Sequence, residues 1–134
     1  MYREAYLIKD NGICYASYNE KEEINPIIGE DLKTSMLIGL DYGITEAFNN
    51  KIRCMILEDE KRIYFNRYSL NDMIFNLVLV FDGKRLPYSD LKDKIEDLKE
   101  YMENDDKYND LNDYKVDQDS FGLNAKLKAL FGSD

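Results

Sequence analysis

Asp72-Met-Ile-Phe-Asn-Leu-Val-Leu-Val-Phe-Asp82 is almost wholly apolar between two aspartates, and nothing else in the chain is as hydrophobic. It is about half the ~18 residues that a membrane-crossing helix needs, and its Val, Ile and Phe favour extended backbone. The stretch therefore reads as one strand buried on both faces, which requires a central place in a sheet with helices on either side. Its one interior polar residue, Asn76, reads as a structural amide with its hydrogen bonds satisfied.

The segments around it supply the rest of that sheet. In residues 5–17 (AYLIKDNGICYAS) two short apolar runs flank Asn11-Gly12, a strong hairpin signal because both central residues must accept positive φ. A two-residue loop puts Ala5 and Leu7 on one face with Cys14 and Ala16, and Tyr6 and Ile8 on the other with Ile13 and Tyr15. Residues 51–58 (KIRCMILE) and 62–67 (RIYFNR) read as a second hairpin around Asp59-Glu60. That loop would give Ile52, Cys54, Ile56, Ile63 and Phe65 a common face.

Between the hairpins, residues 29–49 carry Leu32, Met36, Leu37, Leu40, Ile44, Ala47 and Phe48 at helical spacing, a stripe centred near Leu40. Ile38 and Tyr42 fall on the opposite side, flanked by Thr34 and Thr45, and are expected on the surface. Gly39 and Gly43 are expected where this helix approaches the sheet closely. After the hydrophobic strand, Ser89 can cap a second helix with Leu91, Ile95, Leu98 and Met102 on one stripe. Residues 1–103 thus form the domain. Residues 104–119 read as an acidic loop or linker, and residues 120–134 as a short helix that packs on the domain, either beside the second helix or over the Ile38 and Tyr42 side as a self-inhibitory cover.

The 134 residues carry 27 acidic against 18 basic side chains, net charge -9, the wrong sign for nucleic acid or anionic lipid. The N-terminus lacks a signal-peptide pattern, and Cys14 and Cys54 are expected as reduced thiols in the cytoplasm. The chain has no histidine, no Cys-x-x-Cys and no phosphate-binding loop, so neither catalysis nor a metal or other cofactor is expected. Asp117, Asp119 and Gly122 copy three positions of a calcium loop, but Phe121 and Lys128 occupy positions that need oxygen ligands.

The succession of an N-terminal hairpin (AYLIKDNGICYASY), a long helix, an edge hairpin (IRCMILEDEKRIYF), the hydrophobic strand and an amphipathic helix resembles a longin domain over residues 2–103. The resemblance implies an α+β, profilin-like fold: a five-stranded, mostly antiparallel sheet of order 2-1-5-4-3, one helix on one face and one or two on the other. It also implies a non-enzymatic interaction module that binds or regulates a small GTPase or a membrane-trafficking complex. Longin domains commonly offer partners the first helix and the adjoining edge strand. The expected site is therefore Thr34, Ile38, Tyr42, Thr45, Arg53 and Met55, with a homodimer through strand 51–58 using the same surface. The chain departs from the vesicle-fusion type, since no heptad helix or C-terminal anchor follows. The competing class is a small-ligand sensor of the PAS, GAF or profilin type, which would hold a cavity around Asn76.

Overall fold

The hydrophobic stretch forms a strand, β5 (Met73–Asp82), and that strand is central. On one side it pairs antiparallel with β1 (Tyr2–Lys9), on the other with β4 (Lys61–Leu70), and β2 (Cys14–Asn19) and β3 (Cys54–Ile56) form the two edges. The sheet order is β2-β1-β5-β4-β3, with three helices, α1 (Pro26–Phe48), α2 (Tyr88–Glu103) and α3 (Asp113–Phe131). The computed structural model describes residues 1–9, 12, 14–20, 26–70, 73–83, 85–103 and 113–132, and of residues 26–32, 70, 73 and 113–121 the backbone alone.

Burial on both faces of β5 follows from its pleat. Phe75, Leu77, Leu79 and Phe81 join Leu91, Leu98 and Met102 of α2 and Leu123, Leu127 and Phe131 of α3 in the larger core. Val78 turns the other way and meets Tyr6, Ile8, Leu37 and Ile38 in a smaller one under α1. Helix α3 lies over the β1 and β2 side. There the Ser17 amide donates to Asn124 Oδ1 at 2.8 Å, and Phe131 meets Tyr2 edge to face. It lies beside α2: Lys94 Nζ donates to the Leu130 carbonyl at 2.5 Å, and Lys126 Nζ reaches Asp97 at 3.2 Å.

Two hairpins differ in register from the expectation, for the same reason. Leu7 pairs with Ala16 as expected, but Ile8 pairs with Cys14, so a bulge at Tyr15 flips the turn-proximal residues. Tyr15 consequently joins the α2/α3 core and Cys14 packs on the α1 side. Ile13 lies outside the described residues. In the second hairpin Leu57 bonds Lys61 across a three-residue loop, with Glu60 at φ 70. That loop pairs Cys54 with Tyr64 and Met55 with Ile63, so Met55, and not Cys54 or Ile56, shares the Ile63 and Phe65 face. The two cysteines form no disulfide with each other and stand on opposite edge strands.

Helix α3 begins at Asp113, so residues 113–119 are helical rather than loop, while residues 104–112 lie outside the described part. The segment runs without a break into Leu123 and Leu127, and their packing on the core sustains a helix that the local composition does not announce. Continuous helix through Asp117, Asp119 and Gly122 also rules out a calcium loop, which needs turning backbone. At α2 the first intrahelical bond runs from the Leu91 amide to the Pro87 carbonyl, which places Ser89 inside the first turn rather than at the cap.

Candidate functional site

Helix α1 sits on the sheet through Thr34, Leu37, Ile38 and Asp41, the spacing of one helical stripe, and all four are buried. Two of the four are polar, and each has its own partner. Thr34 Oγ1 donates to the Gly12 carbonyl at 3.1 Å, and Asp41 Oδ2 accepts from Arg67 Nη2 at 2.8 Å. Asp41 Oδ1 also accepts from the Ile52 amide at 3.4 Å, which ties the chain after α1 to its C-terminal half. The helix is therefore rotated away from the orientation that its apolar stripe suggests.

That rotation corrects the expected site. Ile38 is 3% exposed and Thr34 fully buried, so neither can touch a partner. Thr45 is half-buried and returns its hydroxyl to the Asp41 carbonyl at 2.8 Å. Met55 is half-buried on the α1 side of the sheet. Tyr42, 43% exposed, and Arg53 are the members of the set that face solvent.

What faces out instead is much of the stripe assigned to the core. Met36 is 66% exposed and Leu40 39%, and Gly43 and Ala47 follow them outward at intervals of four, three and four residues. A Cβ added at Gly39 or Gly43 would meet nothing within 4 Å, so these glycines do not serve contact with the sheet. Phe48, 71% exposed, ends the helix; Ile56, 64% exposed, is on β3 but shares the strand face of Cys54, away from α1. The spacing was legible in the sequence; its outward direction was not.

The edge beside this helix is shorter than expected. Strand β3 is three residues long and covers Arg62, Ile63 and Tyr64, with the Phe65 amide bonding the Arg53 carbonyl just beyond. Among the described residues no strand pairs with that side of residues 66–70 of β4. A groove runs along this open edge, lined by Tyr64, Phe65, Tyr68, Tyr88, Ile95 and Lys99. Burial, with Cys54 opposite, raises the Tyr64 phenol above its ordinary value, so it stays a neutral hydroxyl at the groove's inner wall.

On the α1 side the layer is incomplete. One helix about 10 Å wide cannot cover five strands spanning about 19 Å, and Ile63 and Phe65 are left half-buried. There a cleft of about 470 Å³ opens, lined by Asp41, Lys51, Arg53, Phe65, Arg67 and Asn76 among others. Asn76 is 2% exposed; its Oδ1 accepts from Arg67 Nε at 3.3 Å, but its Nδ2 has no partner among the described residues. The amide is thus only half satisfied, contrary to expectation.

A second polar hollow, between Arg3, Glu4, Glu20 and Lys33, is closed by its own pairs. Arg3 holds Glu20 at 2.6 Å and Asp82 at 2.9 Å, and Lys33 holds Glu4 at 2.8 Å, with Tyr6 also donating to Glu4. These contacts pin β1, β2 and α1 together. Among the described residues no group of carboxylates or cysteines could hold a metal, and no helix is long and apolar enough to cross a membrane.

No known protein family, curated protein or solved structure matches the chain.

Proposed function

We propose that the chain is a non-enzymatic, cytoplasmic interaction module of the longin-like kind, and that it docks a protein partner on the outward face of α1 and the neighbouring open edge of β4. The observation that carries the reading is the exposed seam of Met36, Leu40, Gly43 and Ala47. Its alternating intervals of four and three residues are those of helix-to-helix packing, and Gly43, with Gly39 also open to solvent, leaves room for a close neighbour. An exposed apolar row of this length is costly in water unless something covers it. The sheet order is the one expected of a longin domain, and from that resemblance the partner is a small GTPase or a trafficking-type complex.

The test is titration calorimetry against small GTPases in their GDP and GTP-analogue forms, with native chain and with Met36→Asp combined with Leu40→Asp. Both side chains project outward, so the variant should keep the native circular dichroism while losing binding. A folded variant that binds like the native chain overturns the choice of face. A second copy could occupy the same seam, and sedimentation of the free protein shows whether partner and self-association compete.

A second reading, the small-ligand sensor, draws support from one observation, the polar cleft beside Asn76.

A further inference from the structure

We propose that the cleft between α1 and β4 binds a small organic oxyanion. Its oxygens would lie between Lys51, Arg53 and the Asn76 amide, and its flat apolar part against Phe65. The inference deepens the sensor reading by naming the ligand class, and it is independent of the outward face of α1.

The donor and acceptor balance of the cleft carries the proposal. Its side-chain acceptors are already engaged. Asp41 takes Arg67 Nη2 and the Ile52 amide, Asn76 Oδ1 takes Arg67 Nε, and Asn50 Oδ1 takes the Lys51 amide at 3.1 Å. Because a guanidinium only donates, Arg67 also fixes which way Asn76 points: turning the amide over would set donor against donor. Asn76 Nδ2 is therefore a buried donor in want of an acceptor, a state that costs about 1–3 kcal/mol while it lasts.

The charges agree. Arg67 is neutralised by Asp41, while Lys51 and Arg53 have no ion pair among the described residues. The cleft is thus cationic in a chain of net charge -9, where chance would make it acidic. Phe65 is half-buried on its wall and supplies an aromatic ring to the lining. At about 470 Å³ the space exceeds what one bridging water needs and suits a small ring bearing a carboxylate or phosphate.

The experiment is a heteronuclear NMR titration of the full chain, following the Asn76 side-chain NH2 and the Arg67 Nε–H. The probes are benzoate, phenyl phosphate, inorganic phosphate and neutral benzamide. Benzoate or phenyl phosphate should shift both signals saturably, and which of the two binds tighter separates carboxylate from phosphate. Benzamide should bind about tenfold more weakly, since it forgoes the charge-assisted bonds. Lys51→Gln with Arg53→Gln, two changes on the exposed rim, should weaken the anions at least about tenfold and leave benzamide unchanged. Asn76→Asp, which replaces the donor by an acceptor, should abolish anion binding in a chain that still melts cooperatively.

If benzamide binds as tightly as benzoate, or the rim variant binds anions like the native chain, the oxyanion is overturned while a ligand cleft stands. If no probe moves Asn76, the cleft holds only water and both the oxyanion and the sensor reading fall.

Discussion

Asp41 on α1 and Arg67 on β4 meet at 2.8 Å, with the Asp41 side chain 3% and the Arg67 side chain 27% exposed. This pair anchors α1 to the sheet one turn beyond Leu37 and Ile38, its apolar contacts with the core. Asp41→Ala would leave Arg67 beside Asn76 with no counter-charge, and a loss of about 1–3 kcal/mol is expected, reduced from the value for a fully buried pair because Arg67 reaches water. Asp41→Asn keeps an acceptor for the Ile52 amide and should cost less. Urea unfolding of the three proteins provides the comparison, and equal midpoints would mean that the pair contributes nothing net.

Substitutions two residues apart on α1, about 200° around the helix, should behave oppositely. Ile38→Asp places a carboxylate among Tyr6, Ile8, Leu37 and Val78 and is expected to cost about 3 kcal/mol or more, or to prevent folding. Met36→Asp, at a side chain 66% exposed, should stay within about 0.5 kcal/mol of the native chain. Thermal melts of the two single variants decide the rotation of the helix. The reverse ranking would place the Leu40 stripe against the sheet after all.

Alkaline pH should weaken the fold through buried phenols. Burial, with Asp90 adding a smaller push, raises Tyr2 from 10.0 to about 12, and burial raises Tyr68 as well. The folded state therefore holds these protons more tightly than the unfolded chain does. Their contribution is complete below pH ~10 and is lost as pH rises toward the folded value. Denaturant midpoints measured from pH 8 to 12 should fall above pH 10. Because the Tyr2 hydroxyl is buried without a partner among the described residues, Tyr2→Phe should flatten that fall and change stability little at neutral pH.

Glu60 sits at φ 70 in the three-residue loop that joins β3 to β4. Glycine accepts that backbone without the Cβ clash, so Glu60→Gly should stabilise the protein by about 0.5–1 kcal/mol. Deleting Glu60, to make the two-residue loop expected from the sequence, would slip the register by one and exchange the faces of Cys54 and Met55. Loss of at least the β3–β4 cross-strand contacts in NMR is the expected signature, whereas an unchanged pattern would show that the loop does not set the register.

By itself the sequence determined the order of the elements and the central strand. A run as apolar as residues 73–81 has one stable place in a soluble fold, between two layers, and alternation and helical spacing need no tertiary knowledge to be read. The sheet order followed from the longin resemblance, not from the pattern. Tertiary structure alone decided which faces met. A single extra residue, the bulge at Tyr15 or the third loop position beside Glu60, turns a strand's side chains to the other side, because the period of a strand is two. Helix α1 is apolar nearly all round, so its pattern defines no unique angle. It buries Thr34 and Asp41 because the Gly12 carbonyl and Arg67 stand where their polar atoms can be satisfied, and it leaves Met36 and Leu40 in water. Those partners lie 22 and 26 residues away in the chain and come together only when the sheet forms, so the open seam and the half-satisfied Asn76 could not be read beforehand.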